Sequence, residues 1–130
     1  MKRTYNPNRA PGPWWNDLDE SSRQHMVERY HRKKRIELPN ATLHALFHVI
    51  VENQAQLGDE TPVAEAIDRL QSEGLTRHDA VHAVGSRLAG LIFAAQKGEV
   101  LDELSVENYY DGIRALTMEA WLSEMEEEEP

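Results

Sequence analysis

The chain of 130 residues contains no cysteine, which removes disulfide frameworks, thiolate zinc sites and thiol nucleophiles together and agrees with a cytoplasmic protein. It also lacks a long apolar run. The longest, Leu88 to Ala95, is about half of the roughly 18 residues that a spanning helix requires, and no signal-type stretch stands near the N-terminus. A soluble protein without a membrane partner is expected. Positive charge is scarce as well: 14 Lys and Arg stand against 23 Asp and Glu, a formal net charge of −9 that opposes the phosphate neutralisation of nucleic-acid binding. The exception is the run Arg32-Lys33-Lys34-Arg35, whose simplest meaning is a solvated helix end, with contact to a partner left open. No segment alternates with period two for long enough to form a strand.

What is present is helical. Residues 1–18 form an extended leader rich in Pro, Asn and Arg, which Trp14 and Trp15 are expected to fasten to the core. A helical domain over 19–125 and an acidic tail over 126–130 complete the division. Asp19 caps a first helix to about Lys34, with Met26, Val27 and Tyr30 on one side, and Leu38-Pro39 ends it. Asn40 caps a second helix through about Leu57, stopped by Gly58-Asp59. Its broad arc of Leu43, Leu46, Phe47, Ile50, Val51 and Leu57, together with Ala45 and Val49, predicts burial nearly all round. Pro62 opens a third helix that Gly74 ends. Thr76 and Asp79 cap a long fourth helix to Lys97-Gly98, in which Gly85 and Ala89 admit close approach of a neighbour. A last helix starts at Ser105 and carries Tyr109, Ile113, Leu116, Ala120 and Trp121 at helical spacing. The expected fold is all-α, a single-domain helical bundle of about five helices, and the apolar faces on several of them favour a homodimer.

Chemistry concentrates in the histidines. His44 with His48, and His78 with His82, are two i,i+4 pairs, each placing two imidazoles on one helix face in chelating geometry. Glu52 extends the first pair, so that residues 44, 48 and 52 form a stripe spanning roughly 80° at about 100° per residue. If the second and fourth helices pack together, His44, His48, Glu52, His78 and His82 form a ligand set suited to a transition metal ion, zinc or iron foremost, rather than magnesium or calcium. Four closed ligands favour structural zinc, whereas a 2-His-1-carboxylate face favours iron and oxygen. His25 and His31, six residues apart, point to different faces and read as surface residues without a part in metal binding.

Two other readings stay open. In one, the histidines complete a structural polar core and the protein is an interaction or oligomerisation module. In the other, Glu52 orients His48 as a metal-free general base, with Ser86 the only nearby hydroxyl nucleophile. The H-E-x-x-H signature and the doubled Glu-x-x-His of di-iron bundles are both missing, so no reaction is assigned.

Leu38-Pro39-Asn40, His44, His48, the run Val51-Glu52-Asn53-Gln54 and the segment Leu75 to Ala83, with Arg77-His78 and His82, share their order with a family of small uncharacterised bacterial proteins, a domain of unknown function, which residues 38–97 resemble. The resemblance implies a compact helical bacterial protein and carries no activity.

Overall fold

Local capping chemistry sets most helix boundaries in the computed structural model, which describes residues 4–33 and 41–128, without the side chains of residues 33, 41 and 126–128. Among the described residues six α-helices follow one another: α1 Glu20–Lys33, α2 Ala41–Gln56, α3 Val63–Glu73, α4 Arg77–Gln96, α5 Glu103–Ala115 and α6 Met118–Glu128. The fold is an all-α single-domain bundle, and no strand occurs among the described residues. None of these helices is long and apolar enough to cross a membrane. The expected stop at Leu38-Pro39, the cap at Asn40 and the part of the basic run at Lys34 and Arg35 lie outside the described residues.

The Asp19 carboxylate accepts from the Ser22 backbone N–H at 2.7 Å and opens α1. Thr76 Oγ1 accepts from Asp79 N–H at 3.1 Å and opens α4, in each case satisfying a donor the first turn would leave unpaired. Gly74, at φ +126°, ends α3 in a conformation that costs glycine no Cβ clash.

The last helix of the sequence reading is corrected in two ways. It starts earlier, because Asp102 rather than Ser105 is the cap, its Oδ1 accepting from Ser105 N–H at 3.0 Å. It is also two helices. The Arg69 guanidinium donates to the Ile113 and Leu116 carbonyls, Glu73 Oε1 accepts from Met118 N–H at 2.9 Å and Thr117 Oγ1 from Ala120 N–H at 3.0 Å. Arg69 and Glu73 of α3, with Thr117 capping α6, thus supply the partners that a continuous helix would have supplied itself.

Helix α4 packs against α2, α3 and α5, and α2 packs in turn against α1 and α3. Two apolar clusters result. The larger joins Val51 of α2 with Val63, Ile67 and Leu70 of α3, Val81, Val84 and Leu88 of α4, Ile113 and Trp121. The smaller joins Tyr5, Trp15, Val27, Ala45 and Val49.

The wheel of α2 explains where the polar stripe goes. With His44 at zero, Val51 falls at about −20° and Ala45 and Val49 at about 100° and 140°, so the stripe occupies the arc between two buried faces. Leu46 and Leu57, expected in the apolar arc, point outward and are exposed. The polar stripe of α2 therefore lies at the seam of the two clusters, with His48 and Glu52 fully buried there.

Candidate metal centre

Three helices converge on that seam. His31 comes from α1, His44 and His48 from α2, His78 and His82 from α4. One ligand nitrogen from each of His31, His48, His78 and His82 lies within 4.8 Å of every other. His48 Nε2 is 3.0 Å from His82 Nε2 and 3.1 Å from His44 Nε2. Adjacent nitrogens around a tetrahedral ion with bonds of about 2.0–2.1 Å stand about 3.3–3.4 Å apart, near the separation of the one pair His48–His82. His44 thus sits at the margin of the four, in contact with His48.

Hydrogen bonding fixes which nitrogens face inward. The Tyr5 hydroxyl donates to Glu52 Oε2 at 2.8 Å, because a carboxylate accepts only. Its oxygen is then left to accept from His48 Nδ1–H at 2.9 Å. His48 accordingly carries its proton on Nδ1 and presents the Nε2 lone pair to the cluster. His31 is set in the same way, with Nδ1–H donating to the Val27 carbonyl at 2.8 Å and Nε2 facing inward. His31 Nε2 and His78 Nε2 are buried without a hydrogen-bond partner, a costly condition in any protein interior. A single His48 lone pair also cannot serve two neighbouring imidazoles well. A cation at the centre would engage the nitrogens of His31, His48, His78 and His82 together, and the cluster is a buried, histidine-based site able to hold a metal ion.

Glu52, expected among the ligands, takes another place. Its Oε1 accepts from Arg77 Nη2 and its Oε2 from Arg77 Nη1, both at 2.8 Å. The pair is deeply buried, Glu52 at 0 % and Arg77 at 7 % exposure. With Tyr5 also bonded to Oε2, the carboxylate orients His48 from behind through the tyrosine rather than joining the ligand nitrogens. His31, expected at the surface, is corrected too: it is 4 % exposed, and its ring centroid lies 4.7 Å from that of His44 and 5.0 Å from that of His48. His25 is exposed, as expected. The metal-free acid–base arrangement loses its direct Glu52–His48 contact, and Ser86 Oγ donates to the Ala83 carbonyl of its own helix at 2.6 Å.

The leader is the back wall of the site. Trp15 is fully buried and its Nε1–H donates to Asn53 Oδ1 at 2.9 Å. Pro7 and Arg9 carbonyls accept from Arg77, and Asn8 Oδ1 accepts from the otherwise unpaired His78 backbone N–H at 3.2 Å. Tyr5 and Arg77 had no place in the sequence-based ligand set. A carboxylate destined for burial does demand a cation, and Arg77 beside His78 was the nearest one in the motif. Tyr5 sits in an aperiodic segment and left no such signal.

Burial, and after it the neighbouring imidazoles, hold His44 down to a pKa of about 4 and His82 to about 3. Burial likewise lowers His48 and His78 from the ordinary histidine value. At neutral pH the rings are neutral donors. For the metal-free protein the sign follows directly. Between pH 6.5 and the lowered native values the unfolded chain binds protons that the folded chain refuses. Stability should therefore be full above about pH 6.5 and fall as pH drops through 6 and 5, at up to about 1.4 kcal/mol per pH unit for the buried His48 and less for the partly exposed His44, His78 and His82. Urea melts from pH 7.5 to 4.5 with chelator present check this, and a flat profile would contradict it.

The tyrosine link makes its own prediction. Tyr5→Phe removes the acceptor for His48 Nδ1–H, frees the ring to change tautomer, and is expected to weaken metal affinity about 10- to 100-fold. Titration of the two proteins side by side measures this. Equal affinities would leave Tyr5 a packing residue.

Comparison with protein-family models, with curated proteins and with solved structures finds no match to this chain.

Proposed function

We propose that this protein binds a divalent transition metal ion through His31, His48, His78 and His82, with His44 at the margin of the site and zinc favoured over ferrous iron. The observation that carries the reading is the convergence of four ring nitrogens from three helices within 4.8 Å, two of them buried without another partner. Imidazole donors suit zinc, nickel, copper and iron and disfavour magnesium and calcium. Zinc is preferred because the carboxylate that would complete a 2-His-1-carboxylate face is held by Arg77. The motif residues behind the resemblance to the bacterial family, His44, His48, Glu52, Arg77, His78 and His82, all belong to this site or its support, and we extend the proposal to the function of that motif.

The test is calorimetric titration of metal-stripped, tag-free protein with zinc, ferrous iron under anaerobic conditions, and nickel, alongside melting curves. Saturable binding near one equivalent and a melting temperature that rises with free metal are expected. No binding to any of them, with melting unchanged by chelator, would overturn the proposal. The histidines would then be a polar core, and the interaction-module reading would take over. Exposed Phe93, Val100, Leu101 and Leu104 around the end of α4 favour that second reading, and a stable homodimer in sedimentation would support it.

A further inference from the structure

The histidine cluster is closed on one side and open on the other. On the closed side His31 Nε2 and His78 Nε2 are buried, and Tyr30 packs edge-on against both rings at centroid distances of 5.3 and 5.8 Å. On the open side lies a cavity of about 190 Å³, bounded by His44, His48 and His82 and otherwise by Phe47, Val81, Gly85, Ser86 and Ala89. The small residues expected to admit a neighbouring helix do bring α2 close, since a Cβ on Gly85 would stand 4.0 Å from Phe47 Cβ. They also leave this hollow beside the ring nitrogens. Such a volume accepts an organic molecule of about benzoate size, because an apolar cavity of about 150 Å³ suffices for benzene.

Charge decides what the hollow takes. Four neutral imidazoles leave the full 2+ on an ion. Glu52 is already matched by Arg77 in a bidentate pair, and no carboxylate lines the cavity. A buried divalent charge without an anion is expensive, and the ion is then the strongest local attraction for one. The cavity is an apolar space that borders the three rings His44, His48 and His82 directly.

We propose that the metal centre keeps an exchangeable coordination position on its cavity side, and that this position binds a small monocarboxylate with an apolar body. The carboxylate would join the four imidazoles as a fifth ligand, an expansion that zinc and cobalt accept, and the body would lie against Phe47, Val81, Gly85 and Ala89. This inference rests on the metal-binding reading. It assigns a ligand class to the site and leaves the ligand's fate open.

The experiment uses the full chain loaded with cobalt(II), whose visible bands report coordination, titrated with benzoate, acetate, benzamide and 2-naphthoate. Benzoate should change the bands saturably and bind at least about 10-fold more tightly than acetate, which lacks the apolar body, or benzamide, which lacks the charge, a margin of about 1.4 kcal/mol. Naphthoate, too large for the cavity, should bind worse than benzoate. Ala89→Leu, which fills the hollow and leaves every histidine in place, should retain the cobalt spectrum and lose the benzoate response. Cobalt bands that no carboxylate alters, or that acetate and naphthoate alter as readily as benzoate, would overturn the cavity proposal while the metal site stands. Failure of cobalt to give ligand-field bands at all would sink the metal reading and this inference with it. The comparison of the four probes on the unmutated protein decides the matter even if Ala89→Leu does not fold.

Discussion

Replacing His31, His48 or His82 by alanine should each lower transition-metal affinity by orders of magnitude, whereas His25→Ala should leave it unchanged. The three imidazoles belong to one cluster of converging nitrogens, and chelation gains its strength from holding several donors at once, so the loss of one central donor is not compensated by the rest. His25 is exposed and outside that cluster. His44→Ala should have an intermediate effect, because its ring touches His48 at 3.1 Å from the margin. The stability readout separates this from a structural role. In the unmutated protein, metal at 100 times its dissociation constant should add about 2.7 kcal/mol, and this increment should vanish in the cluster variants. Without metal the order reverses. His78→Leu and His31→Leu remove buried nitrogens that lack partners, and the metal-free variants should be as stable as the parent or more so, since an unsatisfied buried polar atom costs about 1–3 kcal/mol. A polar core kept for stability predicts the opposite. Chelator melts of these variants beside titrations with zinc decide between them, and metal-free destabilisation with unchanged metal response would refute the assignment.

That His31 belongs to the cluster marks the point where the sequence reading stopped short. The paired histidines are legible in the sequence because i,i+4 spacing is a property of one helix and can be counted along the chain. His31 and His25, six residues apart, do not share a face, and that spacing alone carries no sign of burial. Val27, four residues earlier on the buried side of α1, puts His31 on that same side. Caps at Asp19 and Thr76 and the stop at Gly74 were legible for a similar reason, their chemistry being local. The break between α5 and α6 was not, because Leu116-Thr117 contains neither Gly nor Pro, and Arg69 and Glu73, more than forty residues earlier, hold it. Glu52 was correctly placed on the buried stripe but given the wrong partner. Wheel geometry shows direction, and only the approach of Arg77 and Tyr5 from other segments shows what waits there.

That pairing carries the second large effect. Arg77→Met should destabilise the metal-free protein by about 3–5 kcal/mol, because it leaves the Glu52 carboxylate, at 0 % exposure, without its cation. Glu52→Gln should cost less. The amide still accepts from Tyr5, and Arg77 keeps the carbonyls of Pro7 and Arg9. The double variant Glu52→Leu/Arg77→Met should recover most of the loss in Arg77→Met, since exchanging a whole buried ion pair for apolar groups of similar volume is often close to neutral. A metal ion at the histidines adds a further, testable coupling. Glu52 reaches the cluster through one hydroxyl and one imidazole, at 2.8 and 2.9 Å, so a cation there partly compensates the carboxylate that Arg77 no longer neutralises. Saturating zinc should therefore raise the stability of Arg77→Met by more than it raises that of the parent, and by linkage the variant should bind zinc at least as tightly as the parent does. Glu52→Gln should show a smaller effect of opposite sign, because a neutral amide accepts from Tyr5 more weakly than the carboxylate and holds the Tyr5–His48 link less firmly. Denaturant melts of the four proteins with and without zinc complete the cycle. An equal zinc increment in all four would mean that the buried pair supports the fold alone and exerts no control over the metal.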